Sequence, residues 1–403
     1  MKKFHYEAKD TTVNKIVHAE VQAESENAAA KLLIAQGFTP LEIHEVDEGG
    51  SVLGKITNRI TTKDKIVFSR QLSTLIGAGL PLSQSLRTVS EQTENKRMRA
   101  VVDEIIADVE GGRSLSDSFA KHPEVFSKVF LALIESGEAS GTLDEALRRI
   151  ATQQEKDAAT MSKIKGAMMY PVIVLVVIMG VVAFMLFTVV PQVEKLYKDL
   201  KRELPFLTQI MVSSAEFIGR FWWLIAIVLF VGGYFFAQYL KTESGIKFKD
   251  TLKLNIPLFN NMFRKLYMAR FARTGQTLLS TGVPMLDMLQ ISSEAVNNTI
   301  IAKSIQRAAE KVKGGKALSE SLQPEDYILS LVPQMIKIGE QSGKMDEMFG
   351  KTAQIYEEEL DEEIRTISTA IEPVLMVFLA IVAGGMVGAI LFPIYSLVNG
   401  IQV

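Results

Sequence analysis

The chain has 403 residues, with 44 Lys and Arg against 46 Asp and Glu, a net charge of −2 and no cysteine. That composition excludes disulfides, zinc–thiolate and iron–sulfur sites, thiol nucleophiles and an all-round basic nucleic-acid binder. Its mean hydropathy of +0.18 is too high for a soluble chain so charged, so a few very apolar segments must lie within polar domains.

The first residues partly alternate in polarity. Phe4-Tyr6-Ala8 and Ile16-Val17-Ala19-Val21 predict two short strands separated by DTTVN. Ser25 to Gln36 is rich in Ala and Leu and predicts a helix, with Ser25 as N-cap and Gly37 as C-cap. Leu41-Ile43-Val46, after Pro40, predicts a last strand, so residues 1–56 are expected to form a small ββαβ module with a Gly-containing linker at 47–57. The start, MKKFHYEAKD, has no apolar signal core, so no cleavable signal peptide is expected.

From residue 57 the period becomes helical. Ile66, Val67, Leu72, Leu75 and Ile76 recur at three- and four-residue steps. Gly79-Leu80-Pro81 predicts a helix end and restart, and Gly111-Gly112 another, with Ser114 beginning the next helix. Leu143 to Lys165 predicts a polar helix running toward the first of three uncharged stretches. Those stretches are the 19 residues between Pro171 and Pro191, the run Phe221–Leu240, and the 19 residues between Pro373 and Pro393. At 1.5 Å per residue, 19 residues reach about 28 Å, close to the hydrocarbon thickness of a bilayer. Trp222 and Trp223 stand where an interfacial aromatic belt would put them, and Pro171 and Pro373 predict a kink or break at the membrane surface.

The second half repeats the first. Phe68–Leu86 and Phe271–Leu289 share seven of 19 positions at a shift of 203, and GGRSLSDSF aligns with GGKALSESL at the same shift. At a shift of 202, GEASGTLDE meets GEQSGKMDE, Pro171 meets Pro373 and Pro191 meets Pro393. One unit used twice follows, each a bundle of about six helices ending in a membrane helix. The middle span has no counterpart; it returns the chain so that both bundles face one side. The expected organisation is mainly α: the module 1–56, a cytoplasmic bundle 57–170, a transmembrane helix 171–191 and an extracytoplasmic loop 192–220. A second transmembrane helix 221–240, a second cytoplasmic bundle 241–372, a third transmembrane helix 373–393 and an extracytoplasmic tail 394–403 complete it. Flanking Lys and Arg favour a cytoplasmic N-terminus.

Lys163-Ile164, Ala167-Met168, Tyr170-Pro171, Met185 and Val189-Val190-Pro191 resemble the signature of the F-type inner-membrane platform proteins of type II secretion systems and type IV pilus machines. The doubled GExSG segments (Gly137, Glu138, Ser140, Gly141 and Gly339, Glu340, Ser342, Gly343) fit, as do Glu372-Pro373 and Pro393. Ile178 is bulkier than the small residue the signature leads one to expect. The resemblance covers essentially the whole chain. It implies a non-enzymatic platform in the bacterial inner membrane that passes the motion of a cytoplasmic ATPase to pilin or pseudopilin helices. Its implied partners also include inner-membrane assembly proteins, the lipid bilayer and further copies of itself. The pilus branch is the expected one and the secretion platform is the alternative.

The residues themselves point away from catalysis. No GxxxxGK[ST], GxSxG or HExxH occurs, and His5, His18, His44 and His122 are scattered, so no catalytic residue, cofactor or metal site is expected. The run Glu357–Glu363 would spread around every face of a helix, as a solvated or docking surface and not a cation site. Glu138 and Glu340 admit two readings. Either they serve a ligand or partner, or their segments end one helix and start the next at Ser140 or Ser342. Gly384, Gly385 and Gly388 would suit close helix packing. A transporter is the remote alternative, weakened because the three spans hold no Asp, Glu, Lys, Arg or His.

Overall fold

A computed structural model describes residues 2–10, 16–23, 26–35, 38–46, 59–199 and 206–399. The turn DTTVN beyond Asp10, the caps Ser25 and Gly37 and the linker 47–57 lie outside the described residues. The chain divides into two units, Met1–Lys65 with Ser90–Glu104, and Ile66–Val89 with Ile105–Val403.

In the first unit, strands β1 (Lys2–Asp10), β2 (Ile16–Ala23) and β3 (Phe38–Val46) form an antiparallel sheet in the order β2-β1-β3, and helix α1 (Glu26–Ala35) precedes β3. The β1–β3 register shifts between Glu7 and Ala8, where Ala8 faces Pro40. Proline has no N–H for the ladder, and an irregular edge strand is where a sheet tolerates it.

The first copy of the repeat holds helices α2 (Thr62–Gly77), α3 (Leu82–Gln92), α4 (Lys96–Glu110), α5 (Leu115–Ala120), α6 (Lys128–Ser140) and α7 (Leu143–Phe184). A π-turn (Met185–Val189), α8 (Val190–Asp199), α9 (Phe206–Tyr239) and α10 (Glu243–Asn255) follow. The second copy runs through α11 (Asn260–Ser280), α12 (Met285–Ala295), α13 (Thr299–Lys313), α14 (Leu318–Leu322), α15 (Leu331–Ser342) and α16 (Met345–Asn399). The six helices of each copy correspond one to one. The breaks α2–α3 and α11–α12 turn on Gly79 and Gly282, at φ +86° and +85°, where a side chain would strain the backbone.

Three stretches, Leu143–Asp199, Thr208–Tyr239 and Met345–Gly388, are long and apolar enough to cross a membrane, and their most apolar windows are 6%, 0% and 11% buried. Their course differs from the expectation. Pro171 and Pro373 do not break their helices: α7 and α16 run through them, and no separate element begins at 171 or 373. The segment 192–220, expected as a loop, is helical in its described parts as α8 and the start of α9. The irregularity lies instead at Phe221 (φ −113°, ψ 16°), which kinks α9 just before the tryptophan pair. The expected tail is helical to Asn399.

The cores of the two copies reach the same filling by different means. In the first, Phe119 is buried with Phe126 and Phe130 at ring separations of 4.5 and 4.9 Å, and Phe68 lies edge-on to it at 6.1 Å. Leu72 and Leu147 are both fully buried there. Their counterparts are Gly275 and Phe349, and a Cβ on Gly275 would lie 2.7 Å from the Phe349 ring. A lost leucine on one helix is thus offset by a larger ring on the facing one, conserving volume as close packing requires.

One ion pair recurs in both copies. Arg70 of α2 donates from Nε and Nη2 to the two carboxylate oxygens of Glu155 on α7, at 2.9 and 2.5 Å. Arg273 of α11 makes the same fork to Glu357 of α16 at 2.8 and 2.7 Å. The copies differ in surroundings. The first pair's side chains are 41% and 43% exposed, the second's 18% and 29%, and Lys156 of α7 adds a further contact to Glu357 at 3.3 Å. The Arg70 hydrogen bond outweighs burial and holds the Glu155 carboxyl below its usual range. Its contribution is therefore present at neutral pH and lost as the pH falls through that lowered value. Arg273→Ala is expected to destabilise the detergent-solubilised chain by about 1–3 kcal/mol, because it strips a sheltered carboxylate of its fork. Arg70→Ala should cost under about 1 kcal/mol. Chemical denaturation of the two variants side by side checks the order.

Candidate functional site

The GExSG segments form the corners where the fifth helix of each copy turns into the sixth. Gly141 and Gly343, both at φ 72°, cap α6 and α15 in the left-handed conformation, and their N–H groups return to the carbonyls of Gly137 and Gly339. Thr142 and Lys344 donate to the same carbonyls at 2.9 and 3.1 Å, which closes the turn. Gly137 and Gly339 are buried where the two helices approach. A Cβ at Gly137 would lie 2.7 Å from the Ala146 Cβ, and one at Gly339 would lie 2.9 Å from the Met345 Sδ and 3.2 Å from its Cα. Bulk at either position would wedge the corner open.

Glu138 and Glu340 do something neither expectation described. The Glu138 carboxylate accepts from the Leu115 and Ser116 N–H groups at 2.7 and 3.1 Å and from the Ser116 hydroxyl at 2.9 Å. Glu340 accepts from the Leu318 and Ser319 N–H groups at 2.6 and 3.2 Å and from the Ser319 hydroxyl at 2.5 Å. Each carboxylate therefore satisfies the free amides at the N-terminus of the short fourth helix, α5 or α14, and ties it to the corner. Ser140 and Ser342 bond back to Ser136 and Ile338 in their own helices, at 2.7 and 2.8 Å, and do not start the next ones. Thr142 takes the N-cap position of α7 without a side-chain bond to the helix amides; its hydroxyl pairs with that of Ser140 at 2.7 Å.

The remaining motif residues stand apart from these corners. Tyr170 is exposed and Pro171 buried within α7, beside outward-facing apolar residues from Met169 onward. Pro191 is the second residue of α8, after the buried Val190, and Glu372 and Pro373 are exposed on α16. Pro393 falls within α16, and its side chain is outside the described residues. Ile178 is buried and borders a small apolar cavity shared with Leu379 and Val382. The glycines of the third span meet nothing: a Cβ at Gly384, Gly385 or Gly388 would find open space.

The acidic run is solvated at Glu358 and Glu362, and its other four carboxylates are engaged by cations of neighbouring helices. Glu357 takes Arg273 and Lys156, Asp361 takes Lys163 at 2.6 Å, and Glu359 and Glu363 take Lys265 at 3.3 and 2.8 Å. Four carboxylates thus zip α16 to α7 and α11, and no cluster that could hold a metal ion occurs among the described residues. A signal for this was present: Lys156 and Lys163 lie seven residues apart on one face of α7. Further contacts tie the copies together, including Lys128 to Glu294 at 2.7 Å, Ser136 Oγ donating to the Thr281 carbonyl at 2.6 Å, and Arg149 donating to Ser280 at 2.5 Å.

Removing one corner carboxylate should cost stability in the copy that holds it. Glu340→Ala is expected to lose about 1–3 kcal/mol, by stranding two amides and a hydroxyl. Glu340→Gln, which keeps an acceptor oxygen, should lose less. Thermal melts of both variants in detergent test this; equal melts for wild type and Glu340→Ala would remove the capping role.

The family described as type II secretion system (T2SS), protein F, matches residues 68–191 and 271–393, the two copies of the repeat. The N-terminal domain of type II secretion system protein F matches residues 1–44. Over 406 residues the chain is 35% identical to the type IV pilus assembly protein PilC of Thermus thermophilus, covering 99% of each. It is 37% identical to the PilC of Pseudomonas aeruginosa, over 90% of this chain and 97% of that one. It is also 31% identical to the type II secretion system protein F of Aeromonas hydrophila, over 94% of this chain and 98% of that one. With both repeats matched from their first phenylalanine to their last proline, the chain belongs to the type II secretion system protein F family.

Proposed function

We propose that the chain is the membrane platform of a type IV pilus assembly machine, coupling a cytoplasmic hexameric ATPase to the extraction and polymerisation of pilin subunits. One observation carries the choice of branch: the similar pilus assembly proteins are 35–37% identical to this chain, whereas the similar type II secretion F proteins are 30–32% identical. The second reading is the equivalent platform of a type II secretion system, and both share one mechanism. The chain has no P-loop, so the work comes from a partner. Two helices that pass unbroken from bundle to span offer a stiff route for that work.

In this reading the membrane is the bacterial inner membrane, with the N-terminus and both bundles in the cytoplasm. The bundles meet the ATPase and inner-membrane assembly proteins, the spans meet pilin or pseudopilin helices, and the platform self-associates as a dimer or trimer. The chain is not an enzyme. The GExSG corners keep each bundle in register with the helix that enters the membrane, and Tyr170, Pro171, Pro191, Glu372, Pro373 and Pro393 mark the ends of the spans.

Deleting the gene should abolish surface filaments counted by electron microscopy, and complementation should restore them. Filaments that persist, with exoprotein secretion lost instead, would transfer the chain to the secretion branch. Topology is open to single cysteines, since the chain has no other thiol. Ala100→Cys and Gln323→Cys, at exposed positions in the two copies, should label only after the cytoplasmic membrane is permeabilised. Labelling of either from outside would overturn the cytoplasmic placement, and crosslinking of the same variants in native membranes that returns only monomers would remove the oligomer.

A further inference from the structure

Where α7, α11 and α16 converge, just before the first and third spans begin, lies a cavity of about 240 Å³. Ile164, Ala167 and Met168 of α7 line one side, and Phe263 of α11 and Ile367 of α16 the other; every lining side chain is apolar. Ile364, which also lines it, is packed with the buried Leu266 and Leu360, so the hollow borders a solid apolar core. Met168 both lines the cavity and begins the outward apolar run that continues through Met169, Val172 and Ile173. The hollow is therefore continuous with the surface that faces lipid, which is an apolar liquid of flexible chains.

A cation stands against one wall residue, Phe263. The ammonium of Lys253 on α10 lies 5.8 Å from the centre of the Phe263 ring, half-buried and with no acidic partner among the described residues. Lys163 is engaged with Asp361 and Lys265 with Glu359 and Glu363, while Lys249, near Lys253, is exposed. The one carboxylate close to Lys253, Asp250, is engaged by the Thr299 N–H and hydroxyl at 2.8 and 2.9 Å. Burial, then the charges of Lys249 and Arg270, hold the Lys253 ammonium below the ordinary lysine range against the pull of Asp250. A sheltered, repelled cation next to an apolar hollow at a membrane surface matches the two ends of an anionic amphiphile.

We propose that this cavity takes one acyl chain of an anionic phospholipid from the adjoining leaflet, with the lipid phosphate held by Lys253. The site rests on the three apolar helices crossing a bilayer and is independent of the pilus or secretion branch. It would seat a lipid at the joint of the bundle and both repeat-derived spans.

The test uses the full chain in nanodiscs of phosphatidylcholine. Each carries a trace of phosphatidylglycerol or of phosphatidylcholine with a photoreactive diazirine in mid-chain, and labelled residues are mapped by mass spectrometry. Phosphatidylglycerol should label Ile164, Met168 and Phe263 several-fold more than phosphatidylcholine. Lys253→Gln should erase that preference. Ala167→Phe, which fills the hollow, should abolish labelling there while leaving labelling of the outward-facing Met179 and Phe230 unchanged; Ala167→Leu serves if the larger ring prevents folding. Equal labelling by the two lipids in the unaltered chain overturns the anionic site. Labelling confined to outward-facing span residues, or unmoved by filling the hollow, overturns the cavity as a lipid site and leaves it to an apolar side chain of a partner.

Discussion

Hydrocarbon offers no hydrogen bonds, so a chain that crosses it must satisfy every backbone N–H and C=O internally, and an unbroken helix is how a single segment does so. That constraint shapes the polar half of this molecule as much as the apolar half. Two of the three helices that cross begin far outside the membrane region, at the GExSG corners: α7 and α16 run on for 42 and 55 residues. At 1.5 Å per residue those are rods of about 60 and 80 Å. The Arg–Glu forks and the acidic zip of α16 fasten polar helices to these rods, and the corner carboxylates tie α5 and α14 to the helices that lead into them.

The largest patterns were readable from sequence because they rest on composition and period. The three apolar runs, the duplicated unit and its helical punctuation come from spacing alone. What was not readable was pairing. Glu357, Glu359, Asp361 and Glu363 spread around a helix as expected, but two other helices approach that helix from different sides, so spreading served several partners at once. Arg70 and Arg273 stood among the identical positions of the repeat, yet only the fold brings them to Glu155 and Glu357. The prolines misled for a related reason. A proline loses one helical hydrogen bond, a price that length and packing on both sides of Pro171 and Pro373 outweigh. At Ser140 and Ser342 residue type suggested a cap, and the left-handed glycine that follows each had already ended the helix.

The two copies show how a duplicated frame diverges. The corner, the carboxylate tie and the Arg–Glu fork persist in both. The core has been refilled, with Gly275 and Phe349 standing for Leu72 and Leu147, and the second fork has become part of the seam between the copies through Lys156. Shared backbone geometry with unlike surfaces leaves a molecule whose two halves can meet different neighbours.

The π-turn at Met185–Val189 places one extra residue in the helical path at the far end of the first span. One residue amounts to about 100° of rotation. Everything beyond it is therefore set in phase by the length of that stretch and not by its composition. Val190, Val193 and Tyr197 form the buried face of α8, while Lys195 and Leu196 point outward. Any apolar residue can stand within the turn without disturbing that division. A deletion of one residue there, unless the wide turn closed to an ordinary α-helical one, would turn α8 by about 100° and swing part of its buried face outward while leaving every side chain chemically intact.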